Sequence, residues 1–218
     1  MIREISIVLE HSDKLLSGLA NTVLLASIGS VLSLMFGALL AMALMARAAP
    51  LRIATQWLVD AMRCVPFLML AYIVYYGLPS VGINFDNFTS GLAAIVLYNS
   101  AYMGEILRGA WSRLPSDYTQ AALSYGFHGF TLYRRIILPP IVMAAAPVIG
   151  NQVIQVIKDT AFLMIIAVPE LTHAASSIQS TYYVPFAAFC AAILLYWMLC
   201  ALVEWGVGRI EAVAEKRR

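Results

Sequence analysis

Residues 18–42 read GLANTVLLASIGSVLSLMFGALLAM, and no Asp, Glu, Lys or Arg falls between Lys14 and Arg47. About 20 mostly apolar residues carry an α-helix across the hydrocarbon core of a bilayer. The stretch therefore predicts a membrane-spanning helix over about residues 15–46. Gly18, Gly29, Ser30, Ser33 and Gly37 punctuate it. Small residues of this kind let helices approach closely inside a membrane.

The rest of the chain has the same character. Of 218 residues, 61% are hydrophobic and 12% charged, against about 25% charged in a typical soluble domain. The short alternating segments of a membrane barrel are missing. The fold class is all-α integral membrane, with one transmembrane domain over residues 1–218. Further spans are predicted at about residues 54–78, 91–107, 136–157 and 184–203, about five in all. The stretch between the last two is mixed in character and suits a short or re-entrant helix. Glu10, Asp13 and Lys14 precede the first apolar run, which is too long for a signal-peptide core. It reads as a retained helix. Cys64, Cys190 and Cys200 sit in apolar context and read as small buried hydrophobes rather than disulfides.

The basic residues collect in alternate connections. Arg47 and Arg52 follow the first span. Arg108, Arg113, Arg134 and Arg135 lie between the third and fourth. Arg209, Lys216, Arg217 and Arg218 follow the fifth, in a basic tail over about residues 206–218. Cytoplasmic loops are rich in Lys and Arg. The expected topology is N-terminus outside and C-terminus in the cytoplasm, and it makes the segment at about 116–135 cytoplasmic.

That segment leads into QAALSYGFHGFTLYRRIILPP, residues 120–140. Ser116 and Asp117 are placed to cap a helix. Gly126 is placed to end it. Ala121 and Ala122, with neighbouring aromatics, are expected to face the cytoplasm as a docking knob. Pro139 and Pro140 fix φ at its base and are expected to stiffen it.

Gln120, Ala121, Ala122, Gly126, Ile136, Leu138 and Pro139 stand at the spacing of the EAA motif of ABC importer permeases, which the chain resembles. Gln120 replaces the usual acidic residue. GLANTVLLASIGSVLSLMFGALLAM, MRCVPFLMLAYIVYYGLP, NSAYMGEILRGAWSRLP and GNQVIQVIKDTAF are similar to successive segments of one subfamily, the polar amino-acid permeases that serve histidine-, glutamine- and arginine-type binding proteins. Ala161 stands where serine is usual there. The resemblance implies a type I ABC importer-like permease subunit of a bacterial inner membrane. It implies a coupling helix gripped by ABC ATPase subunits, a second permease subunit, identical or not, and an extracytoplasmic solute-binding protein. The solute would be a polar amino acid or a derivative such as an opine or a compatible solute. ATP and Mg would be bound by the partner ATPase, with no cofactor in this subunit.

The polar residues within the spans are the candidate site. Asn151, Gln155 and Asp159 recur at i, i+4 and i+8, on one helix face. Ionisable groups at membrane depth face a cavity or the bundle interior. These residues either line a solute path or hold helices together, and the resemblance implies the path. Lys158 either pairs with Asp159 or reaches to an interface. Asp60 and Arg63, at i and i+3, either pair or leave Arg63 free for a solute carboxylate. Glu105 and Arg108 read as a structural or gating pair, and Asn99 and Tyr102 as cavity-lining groups.

His11, His128 and His173 are scattered and imply no metal site. No phosphate-loop motif is present, so ATP hydrolysis belongs to another subunit. Hydrolase signatures are also missing, and nothing points to nucleic acid. The alternative reading is a secondary transporter or small channel that uses Asp159, Lys158 and Arg63 without an ATPase.

Overall fold

The computed structural model describes residues 2–215, and side chains over 3–209. The basic tail residues Lys216, Arg217 and Arg218 lie outside the described residues. Among the described residues ten α-helices follow one another: α1 Ile2–Glu10, α2 Ser12–Leu44, α3 Ala49–Cys64, α4 Phe67–Tyr72, α5 Asn87–Ser112, α6 Ser116–Ser124, α7 Gly129–Leu132, α8 Leu138–Thr160, α9 Leu171–Tyr182 and α10 Pro185–Glu215. No strand occurs among the described residues.

Helix α2 is apolar on all sides, so hydrophobicity does not mark its packed face. Size does. Leu15, Gly18, Thr22, Leu25, Gly29, Ser33, Gly37 and Ala41 form one buried stripe at helical spacing. Gly29 lies against Ile95, and Gly37 against Met103 and Gly104 of α5. The two registers advance together, so α2 and α5 run parallel. Gly91 meets Leu163 while Asn99 bonds Gln152 and Asp159, so α8 runs antiparallel to α5. Gly150 meets Val207, and Val153, Val156 and Ile157 pack with Leu199, Cys200 and Val203, so α10 reverses again. Leu25, Ala26, Ala94, Ile95, Val156 and Leu163 make the core where these helices cross.

The expected second span, residues 54–78, is not one rod. Proline disfavours helix in the residue before it, and Val65 is extended ahead of Pro66. The axis turns by 102° there. The chain then continues through α4, a π turn at Ile73–Gly77 and a 3-10 turn at Leu78–Val81. Among the described residues three helical stretches are long and apolar enough to cross a membrane: Ser12–Leu44, Gly129–Ile166 and Pro185–Arg209. The bent pair makes four. Helix α5 lies among them along its length, with Asn99, Glu105 and Arg108 lowering its hydropathy. Asp86 starts it, accepting from the amides of Phe88 and Thr89. The Thr89 hydroxyl, followed by those amides, holds the Asp86 carboxyl below its usual range.

Pro139 and Pro140 do not interrupt the chain at the base of α8. They leave the carbonyls of Arg135 and Ile136 without helical donors. The residues just before them, Tyr133–Ile137, widen into a π turn in which the Leu138 amide reaches back to the Tyr133 carbonyl. Helix α7, this turn and α8 thus form one continuous rod.

Between α8 and α10 a 3-10 turn, Ala161–Ile166, leads to α9, the short helix expected there. Helix α1 lies ahead of the expected first span. Ser112 reaches Met45 and Trp111 meets Tyr133, so Arg47 in the turn and Arg52 in the first turn of α3 share one end of the bundle with Arg113, Arg134 and Arg135.

Candidate functional site

Asp159 lies at the centre of a polar network inside the bundle. It is 2% exposed, and its α5 neighbour Asn99 is fully buried. Asn99 Nδ2 donates to the Ile95 carbonyl at 3.1 Å and to Asp159 Oδ2 at 3.4 Å. Gln152 Nε2 donates to Asn99 Oδ1 at 2.7 Å. Gln155 Nε2 donates to Asp159 Oδ1 at 2.8 Å. Helix α8 persists to Thr160, so the i, i+4 geometry holds. The three expected residues nevertheless differ in depth. Asp159 is sealed beneath its neighbours, while Asn151 and Gln155 are exposed on the outer side of α8. Lys158 is exposed on the same side, and no ion pair joins it to Asp159 among the described residues. One stripe of α8 therefore carries Asn151, Gln155 and Lys158 with no covering helix from this chain.

A second polar group joins α3 to α5. Arg63 stands 3.9 Å from Asp60 and 3.8 Å from Glu105, with its guanidinium 5.4 Å from the centre of the Tyr102 ring. Tyr102 donates its hydroxyl to the Arg63 carbonyl and shares a hydrogen bond with Tyr98. Glu105 is held more tightly by Arg108, which grips it with two bonds of 2.6 and 2.8 Å. Gln56 donates to both oxygens of Asp60. The expected i, i+3 pairs are thus present, and Arg63 bridges them.

The segment at 116–135 is helical over Ser116–Ser124 and again from Gly129, with two corrections. Neither Ser116 nor Asp117 caps α6. Pro115 is the cap residue, and Ser116 bonds Asp117 instead. Asp117 is left in the first turn, where a carboxylate suits the helix dipole. Ala122 does not face outward. It is 5% exposed and packs with Leu132, Ile137, Ile141 and Phe127, because a methyl group lets α6 lie flat on its own base. Ala121 and Gln120 are exposed. Gly126 ends the helix as expected, at φ 81°. Its amide bonds the Leu123 carbonyl, and the Phe127 amide bonds that of Ala122, the paired closure of a Schellman motif. Tyr125 is 86% and Phe130 77% exposed. Ile136 is half-buried, and Leu138 and Pro139 are exposed at the base.

Gln152 and Glu170 escaped the sequence reading. Gln152 lies off the i, i+4, i+8 row and bonds a helix distant in sequence. Glu170, fully buried, caps α9 through the amides of Thr172 and His173 and accepts from the Tyr196 hydroxyl. Its position directly before a helix was the available signal. Among the described residues no cluster of His, Cys, Asp and Glu is placed to hold a metal ion.

Residues 29–214 match the family described as binding-protein-dependent transport system inner membrane component. The chain is 28% identical to the probable glutamine ABC transporter permease protein GlnM of Bacillus subtilis over 97% of this chain and 98% of that one. It is 33% identical to the octopine transport system permease protein OccQ of Rhizobium meliloti, covering 82% and 80%. Among solved structures it resembles an amino acid ABC transporter crystallised with histidines, with TM-score 0.87 and 25% identity over 94% and 96% of the two chains. It shares the fold of the inward-facing MetNI methionine ABC transporter at TM-score 0.73 and 16% identity, covering 93% and 95%.

Proposed function

The chain belongs to the inner membrane components of binding-protein-dependent transport systems, and from that membership we propose that it is the permease subunit of an ATP-driven importer for a polar amino acid or derivative. The stripe of Asn151, Gln155 and Lys158 carries the reading. Polar groups on the outer side of a membrane helix are costly against lipid and face water-filled cavities. A second permease subunit laid along this side would enclose such a path. Asn99, Tyr102, Arg63 and Asp159 stand behind it as its supporting groups. The names of relatives with near-complete coverage support the amino-acid class.

The whole chain acts as one membrane domain. Five crossings, with the bent α3–α4 as the second and α5 as the third, accord with the alternating helix directions. The end rich in Arg faces the cytoplasm. There α6, with Gln120, Ala121, Tyr125 and Phe130 on its surroundings, is the coupling helix for an ABC ATPase. That ATPase binds ATP and Mg, and the permease itself is non-catalytic. ATP-driven closure of the ATPases moves α6 and its continuous base, and the bundle switches from inward- to outward-facing. A solute-binding protein delivers the solute on the opposite side.

The test is uptake into proteoliposomes carrying the permease and its candidate ATPase, with solute-binding protein outside. The expected result is amino-acid uptake only with ATP within reach of the ATPase. Uptake by the permease alone would overturn the reading in favour of a secondary transporter or channel.

A further inference from the structure

Every amide in the network around Asp159 has its polarity set by an atom that only accepts. The Ile95 carbonyl cannot donate, so Asn99 must turn Nδ2 toward it. Asn99 Oδ1 is then an acceptor, and Gln152 must offer Nε2. The Asp159 carboxylate, acceptor-only when ionised, takes the second Asn99 hydrogen and Nε2 of Gln155. Both glutamines thus turn Nε2 inward. Neither Oε1 has a hydrogen-bond partner among the described residues, and Gln155 lies on the uncovered stripe of α8.

We propose that Asp159 is a positioning residue: it orients Gln155, as the Ile95 carbonyl orients the half-buried Gln152 through Asn99, so that the open side of α8 presents the Gln155 amide oxygen to a solute's ammonium or guanidinium group. This rests on the reading of that side as the path. The buried charge acts at one remove and stays out of contact with the solute. Lys158, on the same stripe, supplies the opposite polarity for a carboxylate.

D159N tests this, because it leaves one oxygen at the position for two donors. Asn99 is pinned by backbone, so Gln155 must turn. The first measurement is magic-angle-spinning NMR of the lipid-reconstituted transporter with the permease labelled by 15N-glutamine, signals being assigned through Q152A and Q155A. D159N is expected to shift the Gln155 side-chain amide and leave that of Gln152 in place. A Gln155 signal that stays, or a Gln152 signal that moves with it, overturns the proposal. The second measurement is ATP-dependent uptake of L-glutamine and L-arginine by the full transporter. D159N is expected to raise KM roughly tenfold, the scale of one hydrogen bond to a charged group, with a smaller effect on maximal rate. Adding Q155E to D159N puts an oxygen on the open side whichever way residue 155 turns, and is expected to bring KM back. An unmoved KM in D159N, or no recovery in the double variant, overturns the proposal. A wild-type transporter that takes up no amino acid with ATP defeats the importer reading instead, and the NMR result still decides the orientation.

Discussion

Gly37 of α2 lies against Met103 of α5 with no room for a side chain between them: a Cβ on Gly37 would stand 2.5 Å from the Met103 Cβ and 2.9 Å from the Gly104 amide nitrogen. Neither neighbour is the free end of a flexible chain, so relief requires the two helices to part. Gly37→Ala should destabilise the permease by about 1–3 kcal/mol, the usual cost of overpacking. Gly208→Ala, where nothing stands within 4 Å, should be near neutral. Thermal unfolding in detergent, with both variants side by side, checks this.

Ala121 and Ala122 are adjacent and should behave oppositely. Ala122→Leu forces a large side chain into the contact with Leu132 and Ile137 and should lower the stability of the permease itself by about 1–3 kcal/mol. Ala121→Leu should leave unfolding unchanged and weaken retention of the ATPase. The paired readouts are the melting temperature and the amount of ATPase that copurifies.

Glu105 has two arginine partners of unequal grip. Arg108 holds it by a bidentate, charge-assisted contact, and Arg63 stands at 3.8 Å with a side chain 37% exposed. Arg108→Met should cost about 1–2 kcal/mol, since its bonds are bidentate although its side chain is nearly as exposed as that of Arg63. Arg63→Met should cost no more than about 1 kcal/mol, as partly exposed pairs do. Reversal of that order in denaturation experiments would show that Arg63 is the structural partner.

Glu170 should prove more sensitive than its silence in the sequence suggests. Glu170→Ala removes the acceptor of two amides and the Tyr196 hydroxyl and should cost about 1.5–3 kcal/mol. Tyr196→Phe removes one of those donors and should cost about 0.5–1.5 kcal/mol. Hydrogen exchange of the Thr172 and His173 amides should accelerate in the first variant and much less in the second.

Local chemistry was legible without coordinates. An uncharged run from Leu15 to Ala46 has one stable form in lipid, because a bilayer leaves backbone groups no partner outside the segment. Gly126 ends α6 because a left-handed residue is needed there and glycine adopts it freely. The i, i+3 and i, i+4 pairs at Asp60, Arg63, Glu105, Arg108, Gln155 and Asp159 follow from helical pitch alone. Helix-to-helix relations were not legible in this way. Whether Ala122 faces a partner or its own base depends on how α6 lies across residues 132–141. Whether Asp159 or Gln155 reaches the open side depends on the azimuth at which α8 meets Asn99. In a helix that is apolar all round, hydrophobicity cannot tell lipid from neighbour. Only the interlocking of small residues between α2, α5, α8 and α10 decides which side turns inward.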